Sequence, residues 1–361
     1  MEFVLLSLLL GFLIVLVFTP VGEKYLASSG IYGRDQQKPG KPRIPTSGGL
    51  VVTIGFLTAI TFYAGATSLF TDTVLDKELL FAALSSATLI TLIGLMDDIH
   101  IDYKKLLDKD PEIEVGDTFL HRKADLIFGP STGKEERVGL SQTTKLFMIL
   151  PASFPLIAAG AGSWFMILPI VGEVHWGLFY PLVLLPLGLL FVTNVVNSLA
   201  GTNGLAAGLS LVTSLGLGIF GYINGQLEAA ILAFCLSASL AGFLYYNNYP
   251  ASVLPGDSLT YLCGAVIFSS MVIGDMEKFG VFIFTLWFIE LLLKSRSRFK
   301  AESWGTLQDD GTLDPGYSKN YSLTHVLMRR GLTEKQITYT LVFTQTVIVG
   351  IGLVIFSLGW L

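Results

Sequence analysis

Ten apolar stretches, each about long enough to cross a lipid bilayer, dominate this chain and restrict what it can fold into. They run over 3–19, 49–66, 79–96, 145–162, 177–196, 204–223, 227–246, 257–274, 277–293 and 337–360. A helix needs about 20 apolar residues to span the hydrocarbon core. Only 14% of the 361 residues are charged and 52% are hydrophobic, against roughly 25% charged in ordinary soluble domains. A soluble protein of this size would need far more polar surface. In lipid no water satisfies the backbone, so such stretches must be helical. The expectation is an all-α polytopic membrane protein of about ten transmembrane helices, forming a single domain over 1–361. The stretch 145–162 carries Pro151 and Pro155, which membrane helices tolerate when neighbours re-satisfy the freed backbone groups.

Alternating ten helices across a bilayer sorts the loops into two sets. One holds 20–48, 97–144, 197–203, 247–256 and 294–336; the other holds 67–78, 163–176, 224–226 and 275–276 with both termini. Counting helix-end residues with their nearest loop, all but two of the 23 Lys and Arg fall in the first set, the exceptions being Lys77 and Lys278. Lys and Arg mark the cytoplasmic side, so the first set is expected there. The run from Met1 to Thr19 begins with Glu2; it lacks the basic start and small-residue cleavage site of a signal peptide and reads as the first membrane helix. A net charge of -5 without a long basic run argues against a nucleic-acid partner. Cys235 and Cys263 lie inside apolar stretches and read as small buried hydrophobes.

Two loops carry hairpin signals. Asp310-Gly311, flanked by Thr306-Leu307 and Thr312-Leu313, favours a tight turn between short extended runs, giving a small cytoplasmic hairpin. The non-cytoplasmic segment 163–176 is read as a second small hairpin.

Polar residues at membrane helix ends need a reason, because an Asp at the centre of a span costs roughly 2.5–3.5 kcal/mol on insertion scales. Four constellations gather at the expected cytoplasmic face. Asp97 and Asp98 close the third helix in GLMDDIH; adjacent helical residues point about 100° apart, so one carboxylate can face a metal or phosphate while the other orients a lysine or a nucleophile, a charged helix end meeting water being the plainer account. In FVTNVVNSLAGTNGLAAG, Asn194 and Asn197 share a helix face, and Asn203 sits in a break between Gly201 and Gly204. Interhelical hydrogen bonding is the plainer account of these amides; a metal, a phosphate or a nucleobase edge is the functional one. In NNYPASVLPGDSLTYLCG, Asp257 opens the eighth helix after Pro255-Gly256, either as an N-cap or as a hard oxygen ligand of the kind Mg²⁺ prefers. In KSRSRFK, Arg296 and Arg298 offer bidentate donors for phosphate, positive-inside anchoring being the alternative. The segment GKPRIPTSGG adds Lys41 and Arg43 before a glycine pair. Carboxylates and amides that hold Mg²⁺, with guanidinium and ammonium groups that hold a diphosphate, are what phosphoryl transfer requires, since that reaction depends on positioning and charge stabilisation.

At these residues the chain resembles the polyprenyl-phosphate N-acetylhexosamine-1-phosphate transferases, glycosyltransferase family 4, over nearly its whole length and in motif order. KPRIPTSGG is similar to the N-terminal motif shared with phospho-MurNAc-pentapeptide translocases, GLMDDIH to the family's aspartate pair, and LSQTTKLFMI to the segment with an active-site lysine, here Lys145. NVVNSLAGTNGLAAG, YPASVLPGDSLTYLCG and GTLDPGYSKNYSLTHVLMRRGLTEKQI resemble most the eukaryotic and archaeal branch that makes N-acetylglucosaminyl-diphospho-dolichol. The resemblance implies ten helices with both termini on the non-cytoplasmic side, in agreement with the charge count. It implies Asn197 and Asp257 as ligands of Mg²⁺ (Mn²⁺ as a substitute) with the donor diphosphate, and Asp97, Asp98 and Lys145 beside the acceptor phosphate. It places Asn203 at the uracil, Arg296, Ser297 and Arg298 at the diphosphate and sugar, and Lys41 and Arg43 near the lipid phosphate. Asn194 is counted with the substrate-binding residues. Two departures stand out. Ser297 occupies the place where the branch usually has His, which bears on the choice of sugar. The stretch between Asp98 and Lys145 is longer than in the eukaryotic enzymes and carries an insert read as a hairpin or lid.

The expected reaction is transfer of N-acetylglucosamine-1-phosphate from a UDP-sugar to a dolichyl or polyprenyl phosphate by single displacement, Asp97 and Asp98 positioning rather than forming a covalent intermediate. UDP-MurNAc-pentapeptide or another UDP-sugar is the alternative donor. A transporter is the rival class; it would place ionisable residues at the membrane midplane in paired halves, which this sequence does not do. None of His100, His121, His175 and His325 is expected to be essential. An archaeal plasma membrane is the expected location, with the endoplasmic reticulum as alternative, and a homodimer is compatible with the chain.

Overall fold

The computed structural model describes residues 2–99, 140, 142–168 and 172–358. Among them, eight helices are long and apolar enough to cross a membrane. The first three are α1 (Glu2–Ser28), α2 (Gly49–Phe70) and α3 (Lys77–Asp98). The fourth traverse is broken: α4 (Gln142–Ile149) passes through a 3₁₀ turn at Leu150–Ser153 into α5 (Phe154–Ala158). Pro151 and Pro155 lie at the two junctions, where each removes a backbone donor. A π-turn at Tyr180–Leu184 leads into α6 (Leu185–Ser198). Then come α7 (Leu205–Ile223), α8 (Leu227–Asn247) and α9 (Gly256–Ile273).

The ninth traverse is broken too, into α10 (Glu277–Ile283) and α11 (Thr285–Ser295) around Phe284. The broken turn is not left unpaired. The Thr285 hydroxyl donates to the Phe282 carbonyl at 2.5 Å, and Gln345 reaches across to donate to the Ile283 carbonyl at 2.9 Å. That repair satisfies backbone groups that lipid cannot. A short helix α12 (Leu323–Met328) precedes the last span, α13 (Glu334–Ser357), which opens with a capping box between Thr333 and Gln336. The ten apolar stretches of the sequence are therefore eight single helices and two interrupted ones.

Helix α9 sits at the centre, packed by α2, α3, α6, α7 and α8; 83% of its apolar window is buried, against 22% for each of α1 and α13. Those two present Leu, Val and Phe outward, as lipid-facing helices do. Close helix approach at the centre depends on missing side chains. A Cβ on Gly49 would overlap the backbone of Leu259, and one on Gly94 would lie 2.6 Å from the Asp257 carbonyl.

Alternation of the traverses puts the C-terminal ends of α1, α3, α6, α8 and α11 and the N-terminal ends of α2, α4, α7, α9 and α13 at one loop-rich face. Two antiparallel hairpins belong to it: β1 (Tyr32–Arg34) with β2 (Arg43–Pro45), and β5 (Thr306–Leu307) with β6 (Leu313–Asp314). The second is the hairpin expected around Asp310-Gly311, with Gly311 at φ +82°. The third hairpin, β3 (Phe165–Leu168) with β4 (Gly172–His175), lies in the segment 163–176 where one was expected, on the opposite face. The β1–β2 hairpin was not anticipated.

Candidate active site at the loop-rich face

The site begins where α3 ends against the start of α9. The first turn of α9 leaves backbone N–H groups without intrahelical partners, and the residue preceding it, Pro255, makes no side-chain cap. The cap comes from another helix. One carboxylate oxygen of Asp98 accepts from the Asp257 N–H at 2.8 Å, and the other from the Ser258 N–H at 3.1 Å and the Ser47 hydroxyl at 2.9 Å. A buried carboxylate with three donors on the positive end of a helix is well compensated. The turn before it closes only on glycine: Gly256 has φ +69°, and a Cβ there would run into Asp98. This corrects the reading of Asp257 as its own helix's N-cap. Because Asp98 does that work, the Asp257 side chain is released to point elsewhere.

It points at Lys145. The Lys145 Nζ lies 3.2 Å from Asp257 and 2.5 Å from Asp97. Asp97 is held in turn by the Leu140 N–H, 2.6 Å away. Adjacent residues of α3 thus take different tasks, as their angular offset suggested: Asp98 braces α9, and Asp97 aims the lysine. Lys145 is buried, with its side chain 9% exposed, so its charge stays there only because two carboxylates surround it.

Asn197, at the end of α6, joins the same group through Thr260, whose hydroxyl lies 3.0 Å from Asn197 Oδ1 and 3.2 Å from the Asp257 carbonyl. A hydroxyl has one proton, so it serves one acceptor at a time. Asn194 is not drawn in; its amide donates to the Leu190 carbonyl of its own helix at 2.8 Å.

The described residues contain no group of three or more His, Cys, Asp or Glu set to enclose a metal ion. An all-protein cage is therefore not what these residues build. They do fit an ion that takes one or two protein oxygens and completes its shell with phosphate and water, the habit of Mg²⁺. Asp97 and Asp257 face a single ammonium, and Asn197 adds a neutral oxygen alongside.

Asn203 lies in a second buried cluster. Its Oδ1 accepts from the Lys38 Nζ at 3.0 Å and the Ala251 N–H at 3.1 Å; its N–H donates to Glu334 at 2.8 Å, and its carbonyl accepts from the Thr338 hydroxyl at 3.0 Å. Lys38 also pairs with Glu334 and lies 3.4 Å from Asp35. Gln37 donates to the Gly201 carbonyl and accepts from the Gly305 N–H at 3.4 Å. Sequence reading missed Asp35, Gln37, Lys38 and Glu334. The available signal was an Asp-x-x-Lys pair beside a Pro-Gly turn, in a loop already singled out for Lys41 and Arg43.

Arg296, Ser297 and Arg298 follow α11. The Arg296 guanidinium donates to the Asn320 carbonyl at 3.4 Å, and the Ser297 hydroxyl closes a local turn onto the Lys294 carbonyl at 2.9 Å. Arg298 and Phe299 both have positive φ, 54° and 61°. Glu290, fully buried in α11, ties this loop down by accepting from the Ser322 hydroxyl at 3.0 Å and the Leu323 N–H at 2.7 Å. Among the described residues, no side-chain hydrogen bond or ion pair joins Arg296 or Arg298 to the Lys145 cluster. The connection runs through the end of α6, where the Ser198 carbonyl lies 3.4 Å from the Ser303 hydroxyl. Lys41 and Arg43 are exposed on the β1–β2 hairpin. The insert, with His100 and His121, lies outside the described residues. His325 is buried beneath the loop, stacked on Tyr317.

A Sulfolobus acidocaldarius protein named UDP-N-acetylglucosamine–dolichyl-phosphate N-acetylglucosaminephosphotransferase is 31% identical over 331 residues, covering 91% of this chain and 88% of the relative. A Saccharolobus solfataricus protein of the same name is 28% identical over 91% of this chain and 88% of its own length. A phospho-N-acetylmuramoyl-pentapeptide-transferase of Moorella thermoacetica is 36% identical over 41% of this chain and 43% of its own. The profile of the glycosyl transferase family 4 matches residues 80–275, a span that holds Asp97, Lys145, Asn197 and Asp257 together. The chain belongs to glycosyl transferase family 4, the family its motif order resembles.

Proposed function

We propose that this chain transfers N-acetylglucosamine-1-phosphate from UDP-N-acetylglucosamine to a dolichyl or polyprenyl phosphate, with Mg²⁺, on the cytoplasmic face of an archaeal plasma membrane. A phosphate oxygen of the lipid attacks the β-phosphorus of the nucleotide sugar. A new diphosphate bond forms, the bond from that phosphorus to the bridging oxygen breaks, and UMP leaves with the bridging oxygen. The observation that carries this reading is the convergence of Asp97 and Asp257 on the buried Lys145 at 2.5 and 3.2 Å, at the membrane end where the helix termini meet.

Each residue has a task in that reaction. Lys145, aimed by Asp97, supplies a fixed positive charge for the lipid phosphate, whose oxygens are already anionic at neutral pH and need no strong base. Asp98 holds the first turn of α9 so that Asp257 is presented correctly. Asn197 and Asp257 would hold Mg²⁺, which when bound neutralises charge on the diphosphate oxygens. Arg296 and Arg298 meet the diphosphate and sugar, and the loop with Asn203 meets the uracil. Preorganised charge of this kind is the main resource for phosphoryl transfer.

The two archaeal relatives that cover 91% of this chain both carry the N-acetylglucosaminephosphotransferase name, which favours that donor over UDP-MurNAc-pentapeptide. Purified protein in liposomes with dolichyl phosphate is given a panel of UDP-sugars, and the lipid product is identified by mass. A single mass gain of N-acetylglucosamine-1-phosphate is expected. Transfer of muramoyl-pentapeptide phosphate would overturn the donor assignment, and movement of lipid or solute without label transfer would overturn the reaction class.

A further inference from the structure

The Lys38 cluster is a buried group of charges that the reaction above does not use. The Lys38 side chain is 12% exposed and Asp35 and Glu334 are about 5% exposed or less. Burying such groups is costly and does not by itself add stability. What the cluster does is orient one amide. Lys38 Nζ and the Ala251 N–H are donors only, and both meet the same oxygen of Asn203. The Asn203 amide is thereby fixed with its oxygen turned inward, and its other polar end is an –NH₂ donor. No protein acceptor takes that –NH₂ group among the described residues.

We propose that Lys38 is a positioning residue for nucleobase choice: by locking the Asn203 amide, it makes the site present a donor and so accept the carbonyl edge of uracil while rejecting the amino edge of cytosine. This rests on the reading that Asn203 faces the base. The two pyrimidines differ along one edge: uracil carries an acceptor oxygen at C4 beside a donor N3–H, cytosine an amino donor at C4 beside an acceptor N3. It is at the C4 substituent that an –NH₂ donor tells them apart. An amide free to flip would serve either; an amide held by Lys38 serves one. Glu334 keeps Lys38 in place and also takes the Asn203 N–H, so the lock spans the β1–β2 loop, the α6–α7 loop and the start of α13.

The test measures binding of UMP and CMP, the former being the released nucleotide, to the full-length protein with Mg²⁺ by calorimetry. The variants are Lys38→Met, Lys38→Arg and Asn203→Asp. Asn203→Asp keeps an oxygen for Lys38 and replaces the donor with an acceptor, so UMP preference should fall by about tenfold or more, the scale of one base-edge contact. Lys38→Met, which leaves the Ala251 N–H as the remaining donor on that oxygen, should lower the UMP-to-CMP ratio by a smaller but measurable factor, while Lys38→Arg, which keeps a donor, restores it. If Lys38→Met does not fold, Lys38→Met with Glu334→Gln, which removes the unpaired partner, is read the same way. An unchanged ratio in Asn203→Asp means that Asn203 does not face the base. A shifted ratio there with an unchanged ratio in the folded Lys38 variants leaves the base contact standing and overturns the lock. Equal loss of both nucleotides in the Lys38 variants also overturns it, leaving Lys38 a merely structural residue.

Discussion

Replacing Asp98 with Asn tests whether this carboxylate acts through α9 or on the substrate. Its two oxygens serve three donors: the Asp257 N–H at 2.8 Å, the Ser258 N–H at 3.1 Å and the Ser47 hydroxyl at 2.9 Å. Asparagine offers one oxygen and one –NH₂. The better arrangement keeps the oxygen on Ser258 and Ser47 and sets –NH₂ against the Asp257 N–H, donor to donor. One hydrogen bond to a charged group is lost, worth about 1.5–3 kcal/mol, and a further ~1 kcal/mol goes with the charge at the helix N-terminus. Expressed as misplacement of Asp257, a loss of about 3 kcal/mol is about two orders of magnitude in turnover. Asp98→Asn is assayed for UDP-N-acetylglucosamine turnover in liposomes across pH and for thermal unfolding in detergent. Turnover should fall about a hundredfold by the same factor at every pH, with a lower unfolding temperature. Unchanged thermal stability, with a deficit that vanishes at one end of the pH range, would show that Asp98 exchanges a proton with substrate and refute the bracing argument.

Other perturbations separate the remaining roles. Gly256→Ala, which must place a side chain at φ +69° against Asp98, should abolish folded, active protein, read by size-exclusion and turnover together. Lys145→Met should leave Asp97 and Asp257 facing each other uncompensated; turnover should drop by about 10³-fold, whereas Lys145→Arg should recover part of it. Chelation should stop the reaction and added Mg²⁺ restore it, and Thr260→Val, which frees Asn197 Oδ1 from its hydroxyl donor, should shift the half-activating Mg²⁺ concentration about tenfold. Burial, with Lys294 and Arg329 nearby, holds the His325 imidazole below its ordinary value, so the folded loop refuses a proton that the unfolded loop takes up. Its contribution to stability is full above the unfolded value near 6.5 and is lost as pH falls through the folded one; His325→Gln should flatten that acid dependence in protease-accessibility assays of the 294–336 loop.

Much of the architecture was legible in the chain because lipid leaves few options. Apolar length specified the traverses, and Pro151 and Pro155 marked one of the two that break. The other break, at Phe284, had no proline to announce it; it is held by Gln345, which is distant in sequence and reaches the Ile283 carbonyl only after α13 packs against α10. The hairpin around Asp310-Gly311 followed from turn chemistry and short extended runs, and the one expected in 163–176 is present as well. The β1–β2 hairpin escaped because three-residue strands carry too little alternation to register.

At the site, the sequence by itself determined which residues are candidates for the chemistry. Carboxylates and amides at membrane helix ends need a reason, which singled out Asp97, Asp98, Asn197 and Asp257, and Lys145 came from the resemblance of its segment to the family's motif. Only the tertiary structure decided how they divide the work. Asp98 became the cap of a helix some 160 residues away in sequence, Asp257 was thereby freed toward Lys145, and Asn203 was tied to a lysine no motif had marked. The physical reason is that a polar group's task is set by which donors and acceptors surround it, and here those partners come from helices that meet only once the bundle has packed.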